Sequence, residues 1–171
     1  MNLPSWIVPV AKLHRSPKVR TWCNLPYPRH PRGCPMYGTR PECPPQSPYV
    51  EEVLDLSRPT YLVYQEFDLA GYAKGRRKLF PDWTEAQLKN VLHWQNGNLA
   101  ALRRRVDSAH RFLRTGTVLM KPEANGVNVY RTAEASGLRL ERIEGLRTCR
   151  HVALLGWSRR EGGGKRRGLI V

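Results

Sequence analysis

The sequence predicts an α/β fold: a small single-domain sandwich with a mainly parallel or mixed sheet and a proline-rich cysteine loop. Three observations lead there. From residue 60 onward, runs rich in β-branched and aromatic residues alternate with helical stretches, the pattern of helices laid on a sheet. A length of 171 residues suffices for one substantial core. Eight of the 14 prolines fall between Pro26 and Pro48, so that segment can be neither helix nor central strand. The expected organisation is an N-terminal arm and loop over 1–59, an α/β core over 60–157 and a basic, flexible tail over 158–171, all in one folded unit.

In chain order, "MNLPSWIVPVAKLHR" carries a short apolar run without preceding basic residues or a small-residue cleavage site. It reads as an edge strand or packing arm, not a signal peptide. "TYLVYQEFD", Thr60 to Asp68, reads as a buried strand. "LAGYAKGRRKLF" is a weak helix, interrupted by Gly71 and Gly75. Thr84 with Gln87 three residues on forms a capping box, and Trp83 can staple onto Leu88. That helix ends near Asn96-Gly97-Asn98. A second piece carries Leu99, Leu102, Val106, Ala109 and Leu113 on one stripe, suited to packing on a sheet. "TVLMK", Thr117 to Lys121, is a further strand. "NVYRTAEASG" is a short helix with Asn128 as N-cap and Gly137 as its stop. "LRLERI" and "HVALLGW" read as two more strands.

Twenty-nine Lys and Arg against 14 Asp and Glu give a net charge of +15. Arginine dominates, and arginine grips phosphate in two-pronged fashion better than lysine does. Such a charge favours DNA or RNA over neutral partners, although a merely basic solvated surface would look the same. Arg103, Arg104, Arg105, Arg111 and Arg114 flank the apolar stripe of the long helix. Arg29, Arg32 and Arg40 surround the cysteine loop, interleaved with Trp22, Tyr27 and Tyr37, a composition suited to phosphate contact and base stacking. Arg29, Arg32, Tyr37, Arg40, Arg103, Arg104 and Asn128 are the expected nucleic-acid contacts. His93-Trp94-Gln95 is a further stacking candidate, or simply core. No window approaches a membrane span, and a monomer in the cytoplasm or nucleoid is expected.

Cys23, Cys34 and Cys43 lie within 21 residues, spaced C-x10-C-x8-C. In a chain without secretory features such clustering suggests a metal site more than a disulfide framework. Zinc sites usually use close C-x2-C pairs; the long stiff intervals here, with proline after Cys34 and Cys43, suit a 4Fe-4S cluster better. Cys149 is the remaining thiol and the expected fourth ligand. A structural zinc is the alternative, with His30 able to complete a Cys3His set.

The stretches "HPRGCPMYG" and "CPP", together with "YLVYQEFDL", "LKNVLHWQ" and "KPEANGVNVYRTAEASGL", resemble a family of predicted metal-binding prokaryotic proteins. The resemblance spans residues 23 to 157 through short motifs. It implies metal or cluster binding through Cys23, Cys34 and Cys43, and supplies no reaction. Related sequences often carry another cysteine near the proline–glutamate–alanine segment, where this chain has Met120-Lys121.

"KPEANGVNVY" joins a strand end to a helix start, a place where ligands gather in open α/β sheets. Glu123 can serve there as general base with Asn125 orienting a base edge or water, and Glu66 and Asp68 form a second acidic pair. A capped turn with Glu123 paired to Arg131 explains the same residues without chemistry. The leading functional expectation is an iron–sulfur enzyme acting on nucleic acid. It would be a glycosylase-like DNA-repair hydrolase of a damaged base, or a desulfurase if one iron is open. The rivals are a non-catalytic nucleic-acid-binding module with structural zinc or cluster, and a redox carrier docking on an acidic partner.

Overall fold

The computed structural model describes residues 2–26, 30–143 and 145–159. Its centre is a four-stranded sheet of β1 (Ile7–Pro9), β2 (Tyr61–Asp68), β3 (Thr117–Leu119) and β4 (Thr148–Gly156), in the order β1-β2-β4-β3. Every ladder is antiparallel, with Ile7 opposite Val63, Val63 opposite Ala153 and Leu119 opposite Leu154. The expected mainly parallel or mixed sheet is therefore corrected. Because β2 and β3 both oppose β4, they run in the same direction, as alternating strands and helices demand. They are not neighbours: the last strand slots between them and turns both contacts antiparallel.

The helices are α1 (Val50–Val53), α2 (Leu69–Leu79), α3 (Glu85–Lys89), α4 (Gln95–Leu113) and α5 (Val129–Ala135). Period-two alternation divides the strands between two cores. Val63, Ala153 and Leu155 face α4, meeting Leu102, Val106 and Ala109. Leu62, Leu154 and Leu119 face the other way, against Val50, Leu54, Val129 and Ala133. Each fully buried leucine in these layers contributes about 1.5–3 kcal/mol of transfer free energy. Thr84 and Gln87 form the capping box of α3, and Asn128 caps α5 through a bond from the Arg131 amide. The helix break falls earlier than expected. Asn90 closes α3 and caps a 3-10 turn, Val91–His93, and α4 then runs unbroken through Asn96-Gly97-Asn98.

"LRLERI" is not a strand. β4 is already paired on both sides, so no ladder position beside it remains. Leu138 and Leu140 join the α5-side core and Ile143 packs near Cys149, burying the apolar residues without strand pairing. Ser158 and Arg159, the first residues past the core, bridge back to Leu54 and Val53; the rest of the expected tail lies outside the described residues. Among the described residues no helix is long and apolar enough to cross a membrane.

The proline-rich loop is ordered by hydrogen bonds rather than by the expected metal. A 3-10 helix, Pro17–Asn24, presents Arg20, whose guanidinium donates to the carbonyls of Pro45 and Ser47 at 2.9 and 2.7 Å and lies over the Tyr49 ring. The buried Ser47 hydroxyl donates to the Ala124 carbonyl at 2.7 Å. Successive tight turns, among them Tyr37 N–H to Cys34 O and Cys43 N–H to Arg40 O, satisfy the intervening backbone.

Candidate nucleic-acid interface

The thiols do not form the expected cluster site. Among the described residues no group of three or more His, Cys, Asp or Glu is arranged to hold a metal ion, which removes the 4Fe-4S cluster and the zinc alternative with it. All four cysteines are free. The geometry explains why Cys149 cannot close the set. It lies on the α4 side of the sheet, packed with Leu69 and Trp94, its Sγ 3.7 Å from the Arg147 carbonyl. Cys23 follows Trp22, which packs in the α5-side core, and Cys34 and Cys43 lie near Cys23. Burial pushes the Cys149 thiol up. It pushes Cys23 up as well, helped by the nearby Cys34, Cys43 and Glu123, with Lys121 acting in the opposite direction.

The predicted acids are not assembled into one catalytic centre. Glu66 accepts from the Arg150 guanidinium at 2.6 and 2.9 Å, and Asp68 caps α2 by accepting from the Gly71 amide. The Asn125 amide donates to the Pro48 carbonyl at 2.7 Å and so ties the proline-rich loop to the 3-10 turn Pro122–Asn125. Glu123 sits on that same turn. The residue is partly exposed, yet burial around its carboxyl raises its pKa, with its own backbone amide acting in the opposite direction. Its charge is felt by Cys23 and Tyr130. Asn128 is occupied as a cap. These placements, with the missing donor set, replace the expected iron–sulfur base hydrolase, its repair and desulfuration versions, and the metal-stabilised module.

The arginines fare differently. Arg103, Arg104, Arg111 and Arg114 are all exposed along or at the end of α4. α4 holds four arginines and one acid, Asp107, a balance of +3. Ion pairs among the described residues engage Arg15, Lys89, Arg139, Arg147 and Arg150 and none of these. Arg105, half-buried, turns inward: its guanidinium donates to the Tyr64 carbonyl at 2.8 Å and lies 5.6 Å from the centre of the Trp6 ring. Between that ring and α4 opens a recess of about 300 Å³, lined by Trp6, Gln65, Ala101, Arg104, Arg105 and Ser108. Trp6, Gln65 and Ser108 carried no sequence signal. They meet because β1 pairs with β2 at the edge nearest α4, where the Trp6 carbonyl accepts from the Tyr64 amide at 3.1 Å.

Of the loop contacts, Arg32, Tyr37 and Arg40 are exposed, while Arg29 and Tyr27 lie outside the described residues. Trp94 is not a stacking platform for a ligand. It is 6% exposed and stacks on Phe67 with ring centres 4.3 Å apart. Compared with known proteins, the chain matches no family model, no curated protein and no solved structure, so the resemblance to metal-binding proteins has neither a family match nor a donor set behind it.

Proposed function

We propose that this chain is a metal-free nucleic-acid-binding domain that holds a single strand along the arginine face of α4. The observation that carries this reading is the row of exposed arginines that have no ion-pair partner among the described residues, beside a recess lined by an indole. Arg103 and Arg111 stand eight residues apart, about 12 Å along the helix axis. That length reaches beyond a single phosphate, so successive arginines meet different phosphates of one strand. Arg104, at the recess, meets a phosphate while a base lies against Trp6, combining backbone charge with aromatic stacking. Arg105 is already fixed by Tyr64 and holds the ring in place. Glu66 and Asp68 serve as structural partners, Glu123 stands apart from them, and no bond-breaking step is assigned. A cytoplasmic location is part of this proposal and is supported by the intracellular kind of partner that it names.

Fluorescence anisotropy with labelled single-stranded and duplex oligonucleotides tests this reading. Saturable binding that prefers the single strand and weakens steeply with salt is expected. Absence of saturable binding at low salt, or binding indifferent to salt, would refute it.

A further inference from the structure

The same loop that fails as a metal site brings two of its thiols into another relation. The Cys34 amide donates to the Cys23 carbonyl at 2.7 Å. That bond makes the two residues direct backbone neighbours, the first requirement for their Cα atoms to come within the about 4.4–6.8 Å that a disulfide spans. The approach is fixed by sterics. Gly33 has φ +82°, and a Cβ there would lie 2.5 Å from the Cys23 carbonyl oxygen and 2.6 Å from the Asn24 backbone, so no other residue fits at the crossing without moving the chain. Cys23 is held from the other side. It lies in the last turn of the 3-10 helix whose Trp22 packs into the α5-side core and against Tyr130, with ring centres 5.9 Å apart.

Both sulfurs belong to partly exposed residues, whereas Cys43 and Cys149 are only 7% and 9% exposed. A small reagent therefore reaches Cys23 and Cys34 more readily than the other two. Among the charges acting on Cys23, that of Cys34 outweighs that of Cys43, consistent with Cys34 as the nearer sulfur.

We propose that Cys23 and Cys34 are a reversible dithiol–disulfide pair, a modification site closed by exchange with a low-molecular-weight disulfide. One cysteine thiolate attacks a sulfur of the small disulfide, forming a mixed disulfide and expelling one thiolate. The second cysteine thiolate attacks the protein-bound sulfur and expels the other. The two protons lost by the cysteines are taken up by the two released thiolates. Two protein thiols are oxidised to one disulfide, and the small disulfide is reduced to two thiols. The bond would close the short loop that carries Arg32, and its exposure makes it the reducible kind of disulfide rather than a permanent staple.

The test uses the full chain incubated with mixtures of reduced and oxidised glutathione, then alkylated and digested without reduction. Trypsin cuts after Arg32 and separates Cys23 from Cys34, and a glutamate-specific protease cuts after Glu42 and separates Cys34 from Cys43. The expected result is a linked Cys23–Cys34 peptide pair, lighter by roughly 2 Da than the two reduced peptides together. It grows with the oxidised fraction and disappears on reduction, while Cys149 stays alkylated. Cys23→Ser should abolish the linkage and Cys43→Ser should leave it intact. Four alkylatable thiols at the most oxidising ratio, glutathione adducts without an internal bond, or a bond that engages Cys43 would each overturn the proposal. The wild-type map alone distinguishes these outcomes if a variant fails to fold.

Discussion

Replacing Arg103, Arg104 and Arg111 together with glutamine removes three of the four exposed guanidinium groups at α4 and leaves Arg114. The polar, helix-compatible replacement spares the buried stripe of Leu102, Val106 and Ala109, so folding is expected to survive. If each exposed arginine neutralises one phosphate of a single strand, four contacts give a log–log slope of affinity against salt near −2.8, at about −0.7 per contact. The variant, with one contact left, falls to a slope of about −0.7. Between about 50 mM and about 200 mM salt the wild type then loses affinity roughly 50-fold and the variant only about threefold. Anisotropy titrations at four or more salt concentrations read both slopes directly, with the circular-dichroism spectrum checking that the helix persists. A variant slope within about half a unit of the wild-type value would refute the assignment of the phosphates to α4, however tightly either protein bound.

The remaining predictions concern the recess and the groups that the fold buries. Trp6→Leu keeps apolar packing against α4 but removes the stacking face; it should cost about 1–3 kcal/mol on single strands and leave duplex affinity unchanged in the same titrations. Glu123→Gln tests a carboxyl whose folded pKa is raised: its ionisation penalises the native state, so wild-type stability is full below the ordinary glutamate range and declines as pH rises through the raised value. Urea unfolding of wild type minus variant should fall with pH accordingly, and a flat difference would show that the carboxyl is not enclosed. His151 has the opposite dependence. Burial lowers its pKa and its Nδ1 lies 2.6 Å from the Asn98 amide nitrogen, so its contribution is complete above about pH 6.5 and is lost as pH falls towards the lowered folded value. The difference from His151→Gln should drop on that side only. Ser47→Ala leaves the Ala124 carbonyl without its buried donor and takes a partner from Arg20; a loss of about 1–3 kcal/mol in unfolding free energy is expected.

Local signals in the sequence carried through where local chemistry decides the outcome. Thr84 and Gln87 cap α3 and Asn128 caps α5 because those bonds reach only a few residues along the chain. The apolar stripe from Leu102 to Ala109 faces the sheet because an amphipathic helix has one stable way to bury it. β2 and β4 were legible for the same reason, as apolar runs with no alternative but burial. The sheet's handedness of contact was not. Whether β4 lies beside β2 or beyond β3 depends on which layer position is empty when the chain returns, and that choice made every ladder antiparallel.

The cysteine loop shows the limit most plainly. Spacing along the chain gives thiol count and stiffness, but coordination requires convergence in space, and the sheet stands between Cys149 and the other three. Glu66, Asp68 and Asn125 likewise looked free in the sequence and are occupied by Arg150, the Gly71 amide and Pro48 in the fold. The charge of +15 and the arginine run of α4 were fixed by the residues alone. The tertiary structure decided that Arg103, Arg104 and Arg111 stay exposed with no ion-pair partner among the described residues, and that Trp6, about a hundred positions earlier, stands beside Arg104. Ladder pairing and side-chain packing join residues far apart in the chain, and no spacing rule within it encodes that meeting.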